Sequence, residues 1–233
     1  MIELENLSFS YEQAHILKDI NLEIKNGEFT ALIGANGSGK STLLKLIEGI
    51  EQPTSGKIRV FGMDTCEERL LLEIRKKIGF VFQNPENQII ASTVEEDIVF
   101  GMENLGFSRE LMKTKLREIL EFTGLKGLEK KSPMNLSGGQ KQRLAIASAL
   151  VSDPKILLLD EPMAMLDPEG KREVLRLIVD FHKNDKTVLI ATHDMDIVSF
   201  TQRLIFLKDG KLELAGNTDE IIPRLSKYEE IEL

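Results

Sequence analysis

The chain has 233 residues, 42% of them hydrophobic, which is enough for one large domain or two small ones with a substantial core. Its 30 basic and 38 acidic residues give a net charge of −8 without a basic block, which argues against a surface built to hold nucleic acid. The single cysteine, Cys66, excludes an internal disulfide, and no apolar run approaches the roughly 18–20 residues that cross a bilayer. Without a signal-peptide pattern, the sequence predicts a protein that is soluble by itself.

The N-terminal residues alternate between apolar and polar side chains. Residues 2–10 and 16–24 therefore predict two half-exposed strands, with residues 11–15 as the loop between them. The Asn26-Gly27 pair is typical of a tight turn. Together these features predict an antiparallel strand layer ahead of the rest of the chain.

The most specific motif runs from Gly34 to Ser41 and matches the phosphate-loop pattern G-x-x-x-x-G-K-[ST]. An apolar strand, residues 29–33, precedes it, and the first turns of a helix, residues 42–47, follow it. The glycines let successive backbone N–H groups converge on an anion, and the helix adds the positive end of its dipole. The motif predicts a nucleoside triphosphate site, with Lys40 at the β- and γ-phosphates and the Ser41 hydroxyl on Mg²⁺.

The remainder of the chain alternates between strand and helix patterns. Strands are predicted at residues 57–61, 78–82, 155–160, 187–191, 204–207 and 212–215. Helices are predicted at residues 67–77, 109–122, 137–151, 169–182 and 194–201, and another that begins at the N-cap Thr93. The sum is a parallel α/β core with an antiparallel layer at the start and a helical insert at about 84–153. A site is expected at the carboxyl ends of the parallel strands.

Two acidic residues follow the predicted strand that ends at Asp160. Asp160 is placed to hold the water shell of Mg²⁺ beside Ser41. Glu161, one residue further on, is placed to orient or deprotonate an attacking water. An acid pair after a strand also fits a simple helix start, but together with the phosphate loop it indicates hydrolysis.

A second anion-binding pattern lies at Leu136-Ser137-Gly138-Gly139-Gln140, where two glycines and a serine begin a helix. As in the phosphate loop, an anion would be bound here by free N–H groups, by the helix dipole and by the serine hydroxyl. In a chain with one triphosphate site, this second site makes sense if it serves the nucleotide of another subunit.

These motifs resemble, in order and over nearly the whole chain, those of the ATP-binding subunits of ABC transporters. The set is completed by Tyr11, Gln83, Leu166-Asp167 and His193. The resemblance implies a P-loop NTPase of the α/β class, with a RecA-like parallel sheet core, an N-terminal antiparallel β layer and an inserted α-helical subdomain. Residues 1–233 would form a single ABC ATPase domain, with its core in 1–83 and 154–233 and the helical subdomain in 84–153.

The same resemblance implies a role for each motif. The catalytic residues would be Glu161, His193 and Gln83, and Mg²⁺ would be held by Ser41, Gln83 and Asp160. ATP would be bound by Tyr11, stacked on adenine, and by Gly34, Ala35, Asn36, Gly37, Ser38, Gly39, Lys40, Ser41 and Thr42. The ATP of a second subunit would meet Leu136, Ser137, Gly138, Gly139 and Gln140, and the dimer interface would include Leu166 and Asp167. Met163 and Met165 depart from the family's usual small or hydroxyl residues, which leaves the packing of that interface open.

The stretch Gln83–Gln88 is similar to the glutamine loop of the cobalt/energy-coupling-factor branch, which drives uptake of vitamins or transition-metal ions. The implied partners are a second ATPase subunit, identical or paralogous, and an integral membrane permease, at the cytoplasmic face of the cell membrane. The alternatives are another import or export system, a soluble ABC ATPase of DNA repair or ribosomes, and a regulatory ATP-binding protein without turnover. The chain lacks the long coiled-coil insertion or second cassette typical of the soluble class, and the intact Glu161 and His193 argue against loss of turnover.

A docking surface for a permease helix is predicted between Gln83 and Met102. Apolar residues lie in or just after the connector 84–91, namely Ile89, Ile90, Val94, Ile98, Val99 and Phe100. A groove requires only two or three of them to be partly exposed. The alternative places all six in the core of the helical insert, and helical spacing favours this for Val94 and Ile98.

Overall fold

A computed structural model describes residues 1–228 and contains two sheets. The strands are β1 Ile2–Tyr11, β2 Ala14–Ile24, β3 Phe29–Ile33, β4 Ser55–Val60, β5 Met63–Asp64, β6 Ile78–Val81, β7 Ile156–Asp160, β8 Thr187–Ala191, β9 Arg203–Lys208 and β10 Lys211–Asn217. The smaller sheet is antiparallel, in the order β2-β1-β4-β5. The larger has the order β10-β9-β3-β8-β7-β6 and is parallel except for β10.

The helices are α1 Lys40–Glu48, α2 Glu68–Arg75, α3 Val94–Asn104, α4 Arg109–Phe122, α5 Gly138–Leu150, α6 Pro168–His182, α7 Met195–Val198 and α8 Thr218–Leu225. Short 3-10 turns occupy Pro85–Asn87 and Pro133–Asn135. Serine and threonine caps fix several starts, since the Thr93 and Ser108 side chains accept hydrogen bonds from Glu96 N and Leu111 N. Within residues 1–228, none of the helices combines the length and the apolar character needed to span a bilayer.

The parallel strands are continuous apolar runs because both faces of their sheet are covered. Side chains alternate along β7. Leu158 packs with α1 and the antiparallel layer in a first hydrophobic cluster, whereas Leu157 and Leu159 pack with α5 and α6 in a second cluster on the other face of the sheet. The carboxyl ends of β3, β6, β7 and β8 lie at one edge of this sheet. The segments that follow those strands are therefore brought together.

The antiparallel layer is a hairpin tighter than the sequence predicted. Tyr11 pairs with Ala14, so the turn contains only Glu12 and Gln13, and the expected loop over 11–15 is wrong in its extent. Glu12 has a φ of +49°, and a positive φ at the first turn residue permits a two-residue hairpin connection. The Asn26-Gly27 turn is present and leads from β2 into the larger sheet.

A third hydrophobic cluster lies entirely within the predicted helical insert. Its buried members come from α3, α4 and α5 and the turns between them, from Val94 to Val151. Val94 and Ile98 are fully buried there, so both belong to the core of the insert and not to a docking surface. Two elements went unpredicted, the short β5 and the helix α8. The division into 1–83, 84–153 and 154–233 stays a prediction, and its last residues, 229–233, lie outside the described residues.

Candidate functional site

The phosphate loop joins the carboxyl end of β3 to the start of α1. At Gly34 a Cβ atom would lie 2.3 Å from the carbonyl oxygen of Leu207, and at Gly39 it would lie 2.6 Å from Leu17 Cδ2. Both glycines also have positive φ, +153° and +104°, a backbone conformation that residues with a side chain rarely adopt. The first turn of α1 begins directly after Gly39, and its free N–H groups and dipole end at the loop.

The side chain of Lys40 is held over the phosphate loop by backbone carbonyl groups of the loop. Its Nζ donates to the carbonyl oxygens of Gly34 and Ala35 at 2.7 and 3.2 Å and lies 3.9 Å from Glu161 Oε1. Burial lowers the pKa of Lys40, and the nearby carboxylates of Glu161 and Asp160 oppose that change. The loop therefore carries a cation at the position where phosphate charge would sit.

Ser41 and Asp160 meet at the end of β7. The Ser41 hydroxyl donates to Asp160 Oδ1 at 2.8 Å. Burial raises the pKa of Asp160, while this hydrogen bond lowers it. A hydroxyl, a carboxylate and the nearby amide of Gln83 form the hard oxygen donor set that suits Mg²⁺. Within residues 1–228 there is no group of three or more His, Cys, Asp and Glu side chains that could hold a metal ion.

Glu161 is buried and has an uncommon backbone conformation. Its φ is +46°, in the left-handed region that costs energy for a residue with a side chain, and its N–H donates to Ala191 O at 2.9 Å. Glu161 Oε2 lies 2.8 Å from Nδ1 of the exposed His193. β7 and β8 are neighbours, so the segments that follow the two strands bring Glu161 and His193 into contact.

A cavity of about 400 Å³ brings most of the predicted ATP residues together. Its lining includes Asn36, Gly37, Gly39, Lys40, Ser41 and Thr42, together with Gln83 and Glu161. Ile16 of β2 also lines it, which the sequence did not indicate because β2 comes from the separate antiparallel sheet. Ser38 is buried instead, and its hydroxyl has no partner among the described residues.

Tyr11 is outside this cavity. Its hydroxyl donates to Glu51 Oε1 at 2.9 Å, and its ring makes an edge contact with Phe9 at a centroid distance of 4.7 Å. Partial burial and the Glu51 carboxylate raise the pKa of Tyr11. The ring is partly exposed near α1, and its stacking on adenine stays a prediction.

The second motif forms a separate cavity of about 420 Å³ that shares no lining residue with the first. Ser137 caps α5 through a reciprocal pair of hydrogen bonds, in which Gln140 N donates to Ser137 Oγ and Ser137 N donates to Gln140 Oε1. The starts of α5 and α6 approach closely, since a Cβ on Gly139 would lie 3.3 Å from Gly170 Cα. Leu136 is buried in the third cluster, so it anchors the motif and does not line the cavity.

The unusual methionines divide between core and surface. Met163 is buried in the second cluster, whereas Met165 is 71% exposed and lines the second cavity with Leu166. Asp167 caps α6, where its Oδ1 accepts from Gly170 N at 2.8 Å. Met165 and Leu166 thus lie beside the start of α5, on the surface that the resemblance assigns to the dimer.

This geometry defines a nucleoside triphosphatase of the phosphate-loop class. Its second cavity, at the start of α5, is separate from the triphosphate cavity. Residues 17–164 match the family model described as ABC transporter, and the chain belongs to that family. The match confirms the predicted fold class and the prediction of an ATP-hydrolysing cassette.

Curated relatives and solved structures match 94–100% of the chain. "Energy-coupling factor transporter ATP-binding protein EcfA1" of Streptococcus thermophilus is 43% identical over 237 aligned residues, covering 100% of this chain and 86% of that protein. The protein of that name from Ligilactobacillus salivarius is 47% identical over 224 residues, covering 95% of this chain and 79% of that protein. These names agree with the resemblance that Gln83–Gln88 indicated.

Two solved structures are similar in fold. cbiO1 from Clostridium perfringens, described as part of the ABC transporter complex cbiONQ, has a TM-score of 0.86 and 37% identity, covering 98% of this chain and 95% of that chain. The ATP-binding cassette MJ0796, a dimer in a post-hydrolysis state bound to ADP and Pi, has a TM-score of 0.84 and 34% identity, covering 94% and 99%.

Proposed function

We propose that this chain is the ATP-hydrolysing subunit of an energy-coupling-factor uptake transporter for a vitamin or a transition-metal ion. The observation that carries the proposal is that Lys40, Ser41 and Glu161 line one cavity, with Asp160 bonded to Ser41 and His193 in contact with Glu161. Similarity to EcfA1 proteins over the full chain supports the uptake branch. The subunit would act at the cytoplasmic face of the membrane, where a permease holds it.

Different residues of this site would bind phosphate, activate water and hold Mg²⁺. Lys40 and the loop N–H groups bind the β- and γ-phosphates, while Glu161 accepts the proton of the attacking water. His193 orients the Glu161 carboxylate through the contact at 2.8 Å and extends toward the γ-phosphate. Ser41, Asp160 and Gln83 would hold Mg²⁺, which when bound neutralises charge on the phosphate oxygens.

A second ATPase subunit, identical or paralogous, would complete each site. The cavity at Ser137, Gly138 and Gly139 is separate from the chain's own triphosphate cavity, which supports a head-to-tail pair in which it faces the partner's ATP. Leu166 and Asp167 adjoin that cavity and would lie in the interface. Residues 84–153 would move as the helical subdomain that carries Ser137 toward the partner.

Replacing Ser137 with arginine is expected to block pairing without affecting the chain's own site. On size-exclusion chromatography, ATP should convert the Glu161→Gln variant from monomer to dimer. Adding Ser137→Arg to that variant should abolish the conversion. Ser108→Arg is the matched control, because Ser108 also caps a helix through its side chain but begins α4. A dimer that survives Ser137→Arg would place the motif away from the interface.

The proposed docking groove lies beside the connector. It encloses about 500 Å³ between the connector and the Pro133–Asn135 turn, and its lining includes Ile89, Ile90, Pro133 and Met134. Ile90 is 66% exposed and Met134 is 87% exposed. Two large apolar side chains exposed side by side in one groove are typical of an interaction surface. An apolar groove of this kind suits a short amphipathic helix of a permease.

Placing a carboxylate in this groove is expected to release the protein from its membrane partner. Ile90→Glu and Met134→Glu should each move the protein from the membrane fraction to the supernatant, with ATP hydrolysis in solution unchanged. Phe100→Glu is the control, since Phe100 is exposed in the same segment but does not line the groove. Ile89 is avoided because it packs against the third cluster. If the folded Ile90 variant still sediments with membranes, the permease docks elsewhere.

A further inference from the structure

The side chain of Gln88 connects two parts of the molecule that carry different motifs. Gln88 Oε1 accepts a hydrogen bond from the backbone N–H of Phe82 at 3.2 Å, and Gln88 Nε2 donates to the carbonyl oxygen of Ala145 at 2.8 Å. Phe82 directly precedes Gln83 of the triphosphate cavity, while Ala145 lies in the middle of α5. One amide therefore links the end of β6 to the helix that Ser137 begins.

The same connector is attached to α5 a second time through Asp97. This buried carboxylate accepts from the backbone N–H groups of Ile90 and Ala91 at 2.8 and 3.2 Å through Oδ1. Its Oδ2 accepts from the hydroxyl of Ser148 at 2.8 Å. Because a buried carboxylate with fixed partners is costly to rearrange, this link holds the connector at a set distance from the helix.

A third link is the ion pair between Glu86 and Lys141. The positions contacted on α5 are Lys141, Ala145 and Ser148, four and three residues apart, which places them on one face of the helix. The connector thus lies along that face and is bonded to it near the start, in the middle and near the end.

We propose that the connector and α5 form one rigid unit, in which Gln88 is the positioning residue that couples Gln83 to the start of α5. The proposal rests on the function proposed above, in which Gln83 meets Mg²⁺ and phosphate while Ser137 meets the partner's ATP. A shift of Gln83 on nucleotide binding is carried through the Gln88 amide to α5. A helix docked at Ile90 acts on the same unit, so the connector does not move by itself.

Enzyme kinetics give the first test. Gln88→Leu removes both hydrogen bonds, and we expect kcat for ATP hydrolysis to fall by about 2- to 30-fold, the range typical for residues that carry coupling. KM for ATP should stay within about twofold, since Gln88 does not line the triphosphate cavity. Asn87→Leu is the matched control, because Asn87 is an exposed amide of the same turn whose side chain makes no hydrogen bond within residues 1–228.

Gln88→Glu separates the two hydrogen bonds. It keeps an oxygen for Phe82 N but turns a second oxygen toward the Ala145 carbonyl in place of the donor. We expect its kcat to fall as far as that of Gln88→Leu. Parental kinetics in Gln88→Glu would show that the bond to α5 transmits nothing and would overturn the proposal.

Hydrogen–deuterium exchange gives a readout that a purely structural role would not change. In the parental chain, Mg·ATP should slow amide exchange both in residues 84–91 and in the first turns of α5. In Gln88→Leu only the connector should respond, and Asn87→Leu should match the parent. Equal responses in both variants would refute the coupling.

The control Glu161→Gln distinguishes the two proposals. If the parental chain hydrolyses no ATP, or Glu161→Gln has no effect on turnover, the proposed function fails, and exchange alone decides the coupling. If Gln88→Leu loses its cooperative thermal transition, Ser148→Ala is used in its place. That variant removes one hydroxyl of the second link, and it should weaken the response of α5 in the same direction.

Discussion

Glu161→Gln is expected to lower the rate of ATP hydrolysis by roughly 10²–10⁴-fold, the usual contribution of a catalytic base, while ATP stays bound. The amide has the shape of the carboxylate but cannot accept the proton of the attacking water. Glu161 Oε1 lies 3.9 Å from Lys40 Nζ, so the substitution removes negative charge near the phosphates and should not weaken their binding. The backbone at φ +46° is unchanged by a residue of the same size.

Steady-state release of phosphate and equilibrium binding of a fluorescent ATP analogue measure the two effects separately. Glu68→Gln is the matched control, because Glu68 is an exposed carboxylate of α2 away from both cavities. A slow variant that binds ATP should also accumulate as a dimer on size-exclusion chromatography. Hydrolysis at the parental rate would remove Glu161 from the role of base.

Strong local patterns made several elements predictable to the residue. The strands β3 and β8 match their predicted bounds because both faces of their sheet are covered, so each strand is an uninterrupted apolar run. The helix α4 matches as well, because Ser108 caps its start and one apolar side faces the third cluster. The phosphate loop was recognisable because its backbone geometry requires glycine at fixed spacing.

Contacts between distant segments left no comparable pattern. Gln88 and Ala145 are 57 positions apart, and Asp97 and Ser148 are 51 apart, so neither pair produces a local period or motif. Ile16 reaches the triphosphate cavity from the other sheet, which depends on how the two sheets pack. The roles assigned to Tyr11 and the other motif residues remain predictions, since position alone does not establish chemistry.

Glu48 is a further residue whose environment the sequence concealed. It ends α1, is only 8% exposed, and its Oε2 has no hydrogen-bond partner within residues 1–228. Burial raises the pKa of Glu48 from 4.5 to about 8, and the Arg75 guanidinium only partly opposes this. A glutamate on an apolar helix is ordinarily taken as a solvent-facing position, so only the packing reveals the cost of its charge.

The stability of the protein should therefore decline as pH rises through the neutral range. The folded-state pKa of Glu48 lies above its unfolded value, so the folded chain binds this proton more tightly, and the free energy of unfolding falls between pH 4.5 and about 8. At about 1.4 kcal/mol for each of the 3.5 units between 4.5 and about 8, the loss is on the order of 5 kcal/mol. Above that range Glu48 is ionised in both states and adds no further pH dependence.

Glu48→Gln is expected to raise the free energy of unfolding at pH 8.5 by about 3–5 kcal/mol, because the amide avoids burial of a charge. Near pH 4, where Glu48 is largely protonated in both the folded and the unfolded chain, the two proteins should have similar stability. Urea unfolding at intervals between these pH values measures the difference, and the exposed Glu68→Gln should stay within about 0.5 kcal/mol of the parent throughout. If the Glu48→Gln profile runs parallel to that of the parent, Glu48 is ionised in the folded protein and paired with Arg75.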